Sequence, residues 1–199
     1  MKYIDVAENM PLEWYLEQEE LVARDVKEPT MFFWRVDPTV IIGRHQVLEN
    51  EVNVAYCEQH NIRIVRRKSG GGCVYADRGN LMLSYISPST HSEEVFAEFL
   101  RLVSEALGKM GFAATTTSHN DILVGGHKVC GCACYALTTG TIVHSTMMLD
   151  VNVEALEQAI TPTREKLEKH GVESVRQRVI NLATLGDVTN MEERLKQCL

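Results

Sequence analysis

The sequence has no long apolar run, no excess of basic residues and no cysteine framework, and each absence excludes a class of protein. No stretch of the 199 residues approaches the roughly 18 consecutive apolar residues that a membrane-spanning helix needs. The formal net charge of −7 at pH 7 argues against general nucleic-acid binding, which depends on basic surface. The six cysteines include no Cys-x-x-Cys pair and do not indicate a disulfide scaffold. We therefore expect reduced thiols, and neither a membrane nor a nucleic acid as partner.

The N-terminal stretch MKYIDVAENMPLEW also lacks the apolar core of a signal peptide and the Arg/Ser-rich, acid-poor character of a transit peptide. A cytoplasmic protein is therefore expected. The length suits a single domain over 1–199, which would bury roughly 70% of the surface that the unfolded chain exposes. A domain of this size can enclose a ligand cavity.

Hydrophobic periodicity and turn residues predict clusters of strands interrupted by helices. The predicted strands lie at 30–36, 39–45, 61–67, 81–87, 120–136 (turning at Gly125-Gly126) and 140–151. The predicted helices lie at 11–25 (with Leu12, Tyr15, Leu16, Leu21 and Val22 mostly on one face), 51–60, 92–111 (with Ser92 as N-cap and Gly111 at its end), 153–159, 163–169, 173–181 and 189–198. This order favours an α+β fold with mixed, largely antiparallel sheets and flanking helices.

The segment RRKSGGGCVYADRGNL at 66–81 places three cations directly before three glycines and a cysteine. Glycines let a ligand approach the main chain, whose N–H groups bind anions, and arginine adds planar charged donors. The segment therefore indicates an acyl-phosphate or nucleotide site, with a simple tight turn as the alternative. Neither Gly-x-x-x-x-Gly-Lys-Ser/Thr nor Gly-x-Gly-x-x-Gly is present, which argues against a kinase, a GTPase or a dinucleotide enzyme.

Together with IIGRHQ before it and NDILVGGHKVCGCA after it, this segment resembles the lipoate-protein ligase A family. HSTMMLD and the tail PTREKLEKHGVESVRQRVINL extend the resemblance over most of the chain. The resemblance implies the α+β fold of biotin and lipoate ligases. It also implies that ATP, with Mg²⁺, activates lipoate as lipoyl-adenylate. The acyl group would then pass to a lysine on a carrier domain, either an E2 subunit of a 2-oxoacid dehydrogenase or the H protein of the glycine-cleavage system.

The resemblance implies a role for each of several residues in the glycine-rich segment. Arg67, Ser69, Gly70, Gly71 and Gly72 would line the lipoyl-adenylate. The wall of the acyl tunnel would be formed by Gly72, Cys73 and Val74.

The other matched blocks would supply the charged groups of the site. Lys128 falls at the lysine that the family uses against the acyl-adenylate, where a cation stabilises charge on carboxyl and phosphate oxygens. Asn120 and Asp121 match an Asn-Asp pair suited to the nucleotide, with Asp121 as the candidate Mg²⁺ ligand. Arg44 and His45 would lie near the site.

His144 occupies a position where the family commonly has His-Gly-Thr, although Ser145 replaces the glycine here. We include His144 among the binding residues.

The cysteines leave two alternatives open. Cys130, Cys132 and Cys134 alternate along one predicted strand, so they would share a face and either bind a soft metal or pack as small apolar groups. Octanoyl transferases of the same fold use a cysteine thioester and no ATP. The resemblance places their cysteine just before the strand that here reads TTTSHNDILV, where this chain has none, so Cys73 is interpreted as a wall residue.

Two departures from the family pattern bear on function. Ala76 stands where many relatives have histidine, and many complete ligases continue beyond the equivalent of Leu199 into an accessory domain. We therefore expect a catalytic domain without an evident accessory domain, for which a separate chain is one possible substitute. The rival hypotheses are an ATP-independent octanoyl or lipoyl transferase and an acyl-adenylate-binding module without turnover.

Overall fold

The computed structural model describes residues 1–117, 120–161 and 174–199. Its strands are β1 (Lys2–Tyr3), β2 (Thr30–Trp34), β3 (Thr39–Ile42), β4 (Arg63–Arg66), β5 (Val74–Ala76), β6 (Asn80–Ser87), β7 (Ala114–Thr116), β8 (Asp121–Val124), β9 (His127–Leu137) and β10 (Gly140–Met148). Its helices are α1 (Leu12–Ala23), α2 (Leu48–Glu51), α3 (Val54–Gln59), α4 (Ser92–Lys109), α5 (Val153–Ala159), α6 (Val175–Arg178) and α7 (Met191–Cys198), with a 3₁₀ turn at Leu182–Thr184.

The strands form two sheets of different size. The larger sheet has the order β1-β2-β6-β10-β9-β8-β7, and every pair in it is antiparallel except β1–β2. The smaller sheet has the order β4-β3-β5, with β3 parallel to β4 and antiparallel to β5. The predicted mixed, largely antiparallel α+β architecture is confirmed.

Helices cover the large sheet on both faces. On one face, α4 presents Val95, Phe99 and Val103 to a core that also contains Val143 and Met147 of β10. Their spacing of four residues along α4 is the spacing of a helical apolar stripe.

The opposite face of the sheet packs against α1, whose buried positions are Leu12, Tyr15, Glu19 and Ala23. Leu21, which we expected on the apolar face, is 50% exposed. The prediction was wrong for Leu21, because the buried side of α1 contains Glu19 and Ala23 and leaves Leu21 toward the solvent.

The predicted long helix and the hairpins are confirmed, with corrections at their ends. Gly111 has φ +93 just after α4, as a C-terminal glycine should. Ser92, however, is the first helical residue rather than the N-cap, since His91 holds that position without a side-chain hydrogen bond. Gly125 and Gly126 both have positive φ in the β8–β9 turn, as a tight hairpin requires.

Two other helices differ from their predicted bounds. The helix predicted near 51–60 is divided into α2 and α3, because Asn53 caps α3 by accepting a hydrogen bond from Tyr56 N. The helix predicted at 173–181 is confined to α6. The helix predicted at 163–169 lies outside the described residues. None of the helices described is both long and apolar enough to span a bilayer.

Candidate active site

A cavity of about 830 Å³ lies between α1, the large sheet and the loop that precedes β5. Its apolar lining includes Leu12, Leu16, Trp34, Ile41 and Met82, and its polar lining includes Asn120, Asp121, Lys128 and Arg178. The sheet order separates β2, which carries Trp34, from β8, which begins at Asp121, by four strand spacings or roughly 19 Å. The cavity therefore has room for an elongated ligand with an apolar part and an anionic part.

The guanidinium of Arg67 organises the glycine loop from inside. It donates hydrogen bonds to the carbonyl oxygens of Gly70 (2.7 Å) and Gly72 (2.7 Å), to the carbonyl oxygen of Ile41 (3.2 Å) and to Ser69 Oγ (3.0 Å). Burial lowers the pKa of Arg67 to about 10, which still leaves it charged at neutral pH. From the sequence, Arg67 is expected to bind an anionic ligand. In the structure its guanidinium donates to the carbonyl oxygens of the glycine loop instead.

The flanking cations have structural partners of their own. Arg66 Nη1 donates to the carbonyl oxygens of Gly43 (2.9 Å) and Gln46 (2.8 Å), which fixes the turn after β3. Lys68 Nζ lies 2.6 Å from Glu20 Oε1 on α1. The three consecutive cations therefore hold three different segments together.

Two glycines allow the loop to pack closely. Gly71 has φ +89, a left-handed conformation that side chains disfavour. At Gly43 an added Cβ would lie 2.1 Å from the carbonyl oxygen of Gly71. The matched blocks at 41–46 and 66–81 are thus in direct contact, and both glycines are required for that contact.

Lys128, Asp121 and Arg178 form an ion-pair cluster at the polar side of the cavity, in which Asp121 is buried and the two cations are partly buried. Lys128 Nζ lies 2.7 Å from Asp121 Oδ1, and Arg178 of α6 pairs with the other carboxylate oxygen. Burial would raise the pKa of Asp121, but the ion pairs with Lys128 and Arg178 outweigh it and hold this pKa below its usual value. Asp121 is therefore a carboxylate that positions two cations.

A β-bulge directs Lys128 into the cavity. In the β8–β9 ladder Ile122 pairs with Cys130 and Leu123 pairs with Lys128, so Val129 is an extra residue. Val129 and Cys130 both pack into the core under α4, whereas Lys128 lines the cavity. In a regular strand, residues two positions apart point to the same face of the sheet. Without the bulge, Lys128 would therefore point with Cys130 toward α4 and away from the cavity.

The C-terminal segment fixes the backbone at the same place. Val179 forms a parallel bridge with Lys128, and Ile180 N donates to the carbonyl oxygen of Lys128 (3.0 Å). The residues just after α6 thus hold the strand at the position where its lysine enters the cavity.

The structure places the remaining predicted residues in three settings. Gly71, Gly72, Cys73, Val74, Asn120 and His144 line the cavity with Arg67, Asp121 and Lys128, while Ser69 is buried behind them. Gly70 is exposed and contributes its carbonyl group to Arg67. Arg44 and His45 are exposed and do not line the cavity, although Arg44 N donates to the carbonyl oxygen of Ser69 (3.0 Å).

The cysteines of β9 face the core under α4. The sulfur atoms of Cys130 and Cys132 lie 4.0 Å apart, and Cys134 packs against the same cluster. Across 1–117, 120–161 and 174–199, no three His, Cys, Asp or Glu residues are grouped so that they could hold a metal ion. Apolar packing is the interpretation that these positions support.

Sequence reasoning missed two polar residues that touch the site. Arg178 lies in the tail that resembles the family, but no residue of that tail was given a role. Glu19 is completely buried on α1, and it lies 3.0 Å from His144 Nδ1. Its spacing of four residues from Tyr15 and from Ala23, both buried, was the available signal.

The family model of the lipoyl protein ligase A/B catalytic domain matches residues 5–199. Lipoate-protein ligase LplJ of Bacillus subtilis is 36% identical over 171 residues, which cover 85% of this chain and 52% of that protein. Lipoate-protein ligase 1 of Staphylococcus aureus is 36% identical over 182 residues, which cover 89% of this chain and 56% of that protein. The chain thus spans about half the length of these curated relatives.

Solved structures show the same similarity. A lipoate-protein ligase A bound with ATP superimposes with a TM-score of 0.84 at 25% identity, covering 99% of this chain and 81% of that one. A bi-partite lipoate protein ligase of Thermoplasma acidophilum, described with its E2 lipoyl domain, gives a TM-score of 0.83 at 26% identity, covering 99% and 79%.

A more distant structure supports the fold alone. The biotin protein ligase of Aquifex aeolicus, at 15% identity and a TM-score of 0.53, covers 99% of this chain and 69% of that one. The resemblance and the biotin/lipoate ligase-like fold predicted from the sequence are confirmed. With a family model that covers nearly its whole length, the chain belongs to the lipoyl protein ligase A/B catalytic domain family.

Proposed function

We propose that this protein is an ATP-dependent lipoate-protein ligase that modifies a lysine of lipoyl-carrier domains, namely E2 subunits or the glycine-cleavage H protein. One observation carries the proposal: Lys128 and a glycine loop built around Arg67 line the same cavity, and part of its wall is apolar, including Leu12, Leu16, Trp34, Ile41 and Met82. Named relatives are lipoate-protein ligases, one structural neighbour holds ATP, and another is described with an E2 lipoyl domain. The apolar wall suits the acyl chain, and the cations suit the carboxylate and phosphates.

The first half-reaction makes a good leaving group. A carboxylate oxygen of lipoate attacks the α-phosphorus of ATP, a new bond forms between that oxygen and the phosphorus, and the bond from the α-phosphorus to the oxygen bridging to the β-phosphate breaks to release pyrophosphate. The ammonium of Lys128 can then neutralise charge that develops on carboxyl and phosphate oxygens. Because Asp121 holds Nζ at 2.7 Å, this cation is already ordered before the substrates enter.

The glycine loop supplies the second element of the anion site. Arg67 binds the carbonyl oxygens of Gly70 and Gly72. In a trans peptide the next N–H points opposite to the carbonyl, so the N–H groups of Gly71 and Cys73 are turned away from the guanidinium. Both residues line the cavity, where such N–H groups suit a phosphate or a carboxylate.

In the second half-reaction the carrier lysine attacks the carbonyl carbon of the lipoyl-adenylate. The amide bond forms, the bond from the carbonyl carbon to the AMP oxygen breaks, and the amine loses a proton. Lys128 would again neutralise the charge that develops on the carbonyl and phosphate oxygens in this step.

The donor set fits a magnesium ion that arrives with the triphosphate. Asn120 donates through Nδ2 to the carbonyl oxygen of Cys132 (3.1 Å), which leaves its amide oxygen as an acceptor, and Asp121 is an ionised carboxylate beside it. One or two such oxygen ligands together with substrate phosphates are the usual protein contribution to Mg²⁺. Asn120 and Asp121 would hold the ion, which would supply further charge neutralisation for the phosphates.

The test is an intact-mass measurement of a carrier domain. The protein is incubated with lipoic acid, Mg-ATP and an apo lipoyl domain, and the expected result is a gain of one lipoyl group only when ATP is present. Lys128→Ala should abolish this gain. The matched control is Lys27→Ala, which removes a lysine whose side chain is 80% exposed and should leave the rate unchanged.

Two results would contradict the proposal. One is acyl transfer from an acyl-carrier thioester without ATP, particularly if Cys73→Ser abolishes that transfer. The other is full activity of the Lys128→Ala protein, which would refute the role given to that residue.

A further inference from the structure

Five buried polar side chains connect helix α1 to the glycine loop through one chain of hydrogen bonds. Glu19 Oε2 lies 3.0 Å from His144 Nδ1, His144 Nε2 lies 2.6 Å from Ser69 Oγ, and Arg67 Nε donates to Ser69 Oγ at 3.0 Å. On the other side, Ser84 Oγ donates to Glu19 Oε1 at 2.6 Å. Glu19, Ser69 and Ser84 are completely buried.

Sheet register explains why one carboxylate reaches both partners. His144 of β10 and Ser84 of β6 are directly paired across the ladder. Residues paired in this way present their side chains to the same face, and α1 covers that face. Glu19, on the buried stripe of α1, therefore lies over the pair and binds one member with each oxygen.

Counting donors fixes the direction of the chain. Trp34 Nε1 donates to Ser84 Oγ (2.8 Å), so the Ser84 proton is free to point at Glu19. Arg67 Nε donates to Ser69 Oγ, so the Ser69 proton points at His144 Nε2, its other partner among the described residues. In this arrangement a proton on His144 Nδ1 is donated to Glu19, and every hydrogen in the chain has an acceptor.

We infer that Glu19 is a positioning residue, which holds neutral His144 in the Nδ1–H tautomer and through it fixes Ser69 and the glycine loop. A buried carboxylate that accepts two hydrogen bonds stays satisfied without a contact to substrate. The neighbouring Glu20 forms an ion pair with Lys68, which directly precedes Ser69. Two successive residues of α1, Glu19 and Glu20, therefore stabilise the glycine loop. The effect on catalysis rests on the proposed function, but the tautomer does not.

The contacts resemble a Ser–His–carboxylate nucleophile system, but burial excludes that role. Ser69 has no exposed surface and does not line the cavity, whereas a nucleophile must reach the acyl group. The hydroxyl instead connects the imidazole to Arg67. A lipoyl ester found on Ser69 by intact-mass analysis of the protein would overturn this assignment.

The test combines a spectroscopic and a kinetic measurement on the full chain. In ligand-free protein, long-range ¹H–¹⁵N correlation NMR should show the proton of His144 on Nδ1. Glu19→Ala should shift it toward Nε2 and raise the KM for lipoate about tenfold, with a smaller change in kcat. Glu19→Gln keeps an oxygen acceptor for Nδ1–H and should restore both properties in part.

The controls separate the possible outcomes. Glu17→Ala removes an exposed glutamate of the same helix and should change neither the tautomer nor the KM. Should Glu19→Ala not fold, Ser69→Ala tests the chain from the loop end and should also raise the KM for lipoate about tenfold. A proton on Nε2 in the unaltered protein overturns the inference, as does an unchanged KM in the Ser69→Ala protein. If the unaltered protein does not lipoylate a carrier, the proposed function fails while the tautomer still decides the inference.

Discussion

The side chain of Lys128 lies over Gly131, three residues further along the same strand. A Cβ added at Gly131 would lie 2.7 Å from Lys128 Nζ and 2.8 Å from Cε. The bulge at Val129 gives the two residues the same face, and the missing side chain at Gly131 leaves space for the ammonium. Glycine at 131 therefore permits the position of Lys128 beside Asp121.

Gly131→Ala should displace the side chain of Lys128 without removing it, and so test whether its position matters. Because the clash involves the far end of a flexible side chain, Lys128 can move away at little cost in stability. Displacement of the cation by about 1 Å should lower the rate of carrier lipoylation by about a hundredfold. Single-turnover lipoylation, followed by intact mass, measures this rate.

The matched control for this substitution is Gly108→Ala in α4, where an added Cβ meets no atom within 4 Å. That protein should lipoylate the carrier at the unaltered rate. A rate for Gly131→Ala within about twofold of the unaltered protein would show that the space over Gly131 is not needed.

Gly71→Ala should destabilise the loop by two routes. The residue has φ +89, and an added Cβ would lie 3.0 Å from Arg67 Nη2. A left-handed alanine costs about 1–2 kcal/mol, so urea unfolding should show a loss of that size. Gly70→Ala is the comparison, since its Cβ meets nothing within 4 Å, and its loss should be clearly smaller. Equal losses would mean that the loop rearranges to accept either alanine.

The sequence allowed the large elements and the glycine loop to be predicted because their signals are local. The buried apolar residues of α4 recur every three to four positions. Its first turn carries Glu93 and Glu94 and its last turn carries Lys109, which are the charges favoured at those ends of a helix. The glycine loop and the block around Lys128 are each a continuous segment of the chain. The resemblance could therefore assign both segments before it was known that they lie close together in space.

The connections between those blocks are not local, and periodicity does not report them. Glu19 meets His144 across 125 residues, and in the sequence it looks like a polar interruption of an apolar stripe. The bulge at Val129 reverses which residues of β9 face the cavity, and it follows from pairing with β8 rather than from the composition of β9. Nor does the sequence show that Arg67 donates inward, because three of its acceptors are the backbone carbonyls of Ile41, Gly70 and Gly72.

Arg178→Ala should raise the pKa of Asp121. Arg178 is one of the two cations that outweigh the burial of this carboxylate, so its loss leaves Lys128 alone to hold the pKa down. The pKa follows from ¹³C NMR titration of the Asp121 carboxyl carbon. Arg176→Ala, an exposed arginine of the same short helix, should leave the titration unchanged. An identical pKa in the Arg178→Ala protein would contradict the ion pair.

Asp121→Asn should destabilise the protein in a manner that depends on pH. The substitution leaves Lys128 and Arg178, both partly buried, without their carboxylate. Because breaking a fully buried pair costs about 3–5 kcal/mol, the expected loss of unfolding free energy near neutral pH is about 1–3 kcal/mol. The native pKa of Asp121 lies below its usual value of 3.8. A depressed pKa contributes stability that is present above the usual value and is lost as the pH falls through the native one.

The difference between the Asp121→Asn and unaltered proteins should therefore be full at pH 7 and shrink progressively below pH 3.8, as the unaltered protein becomes protonated at Asp121. Asparagine does not titrate, so the pH dependence of the difference isolates this one carboxyl group. Urea unfolding at both ends of the range measures it. A difference of the same size in acid and at neutrality would mean that packing of the side chain, and not its charge, supports Lys128 and Arg178.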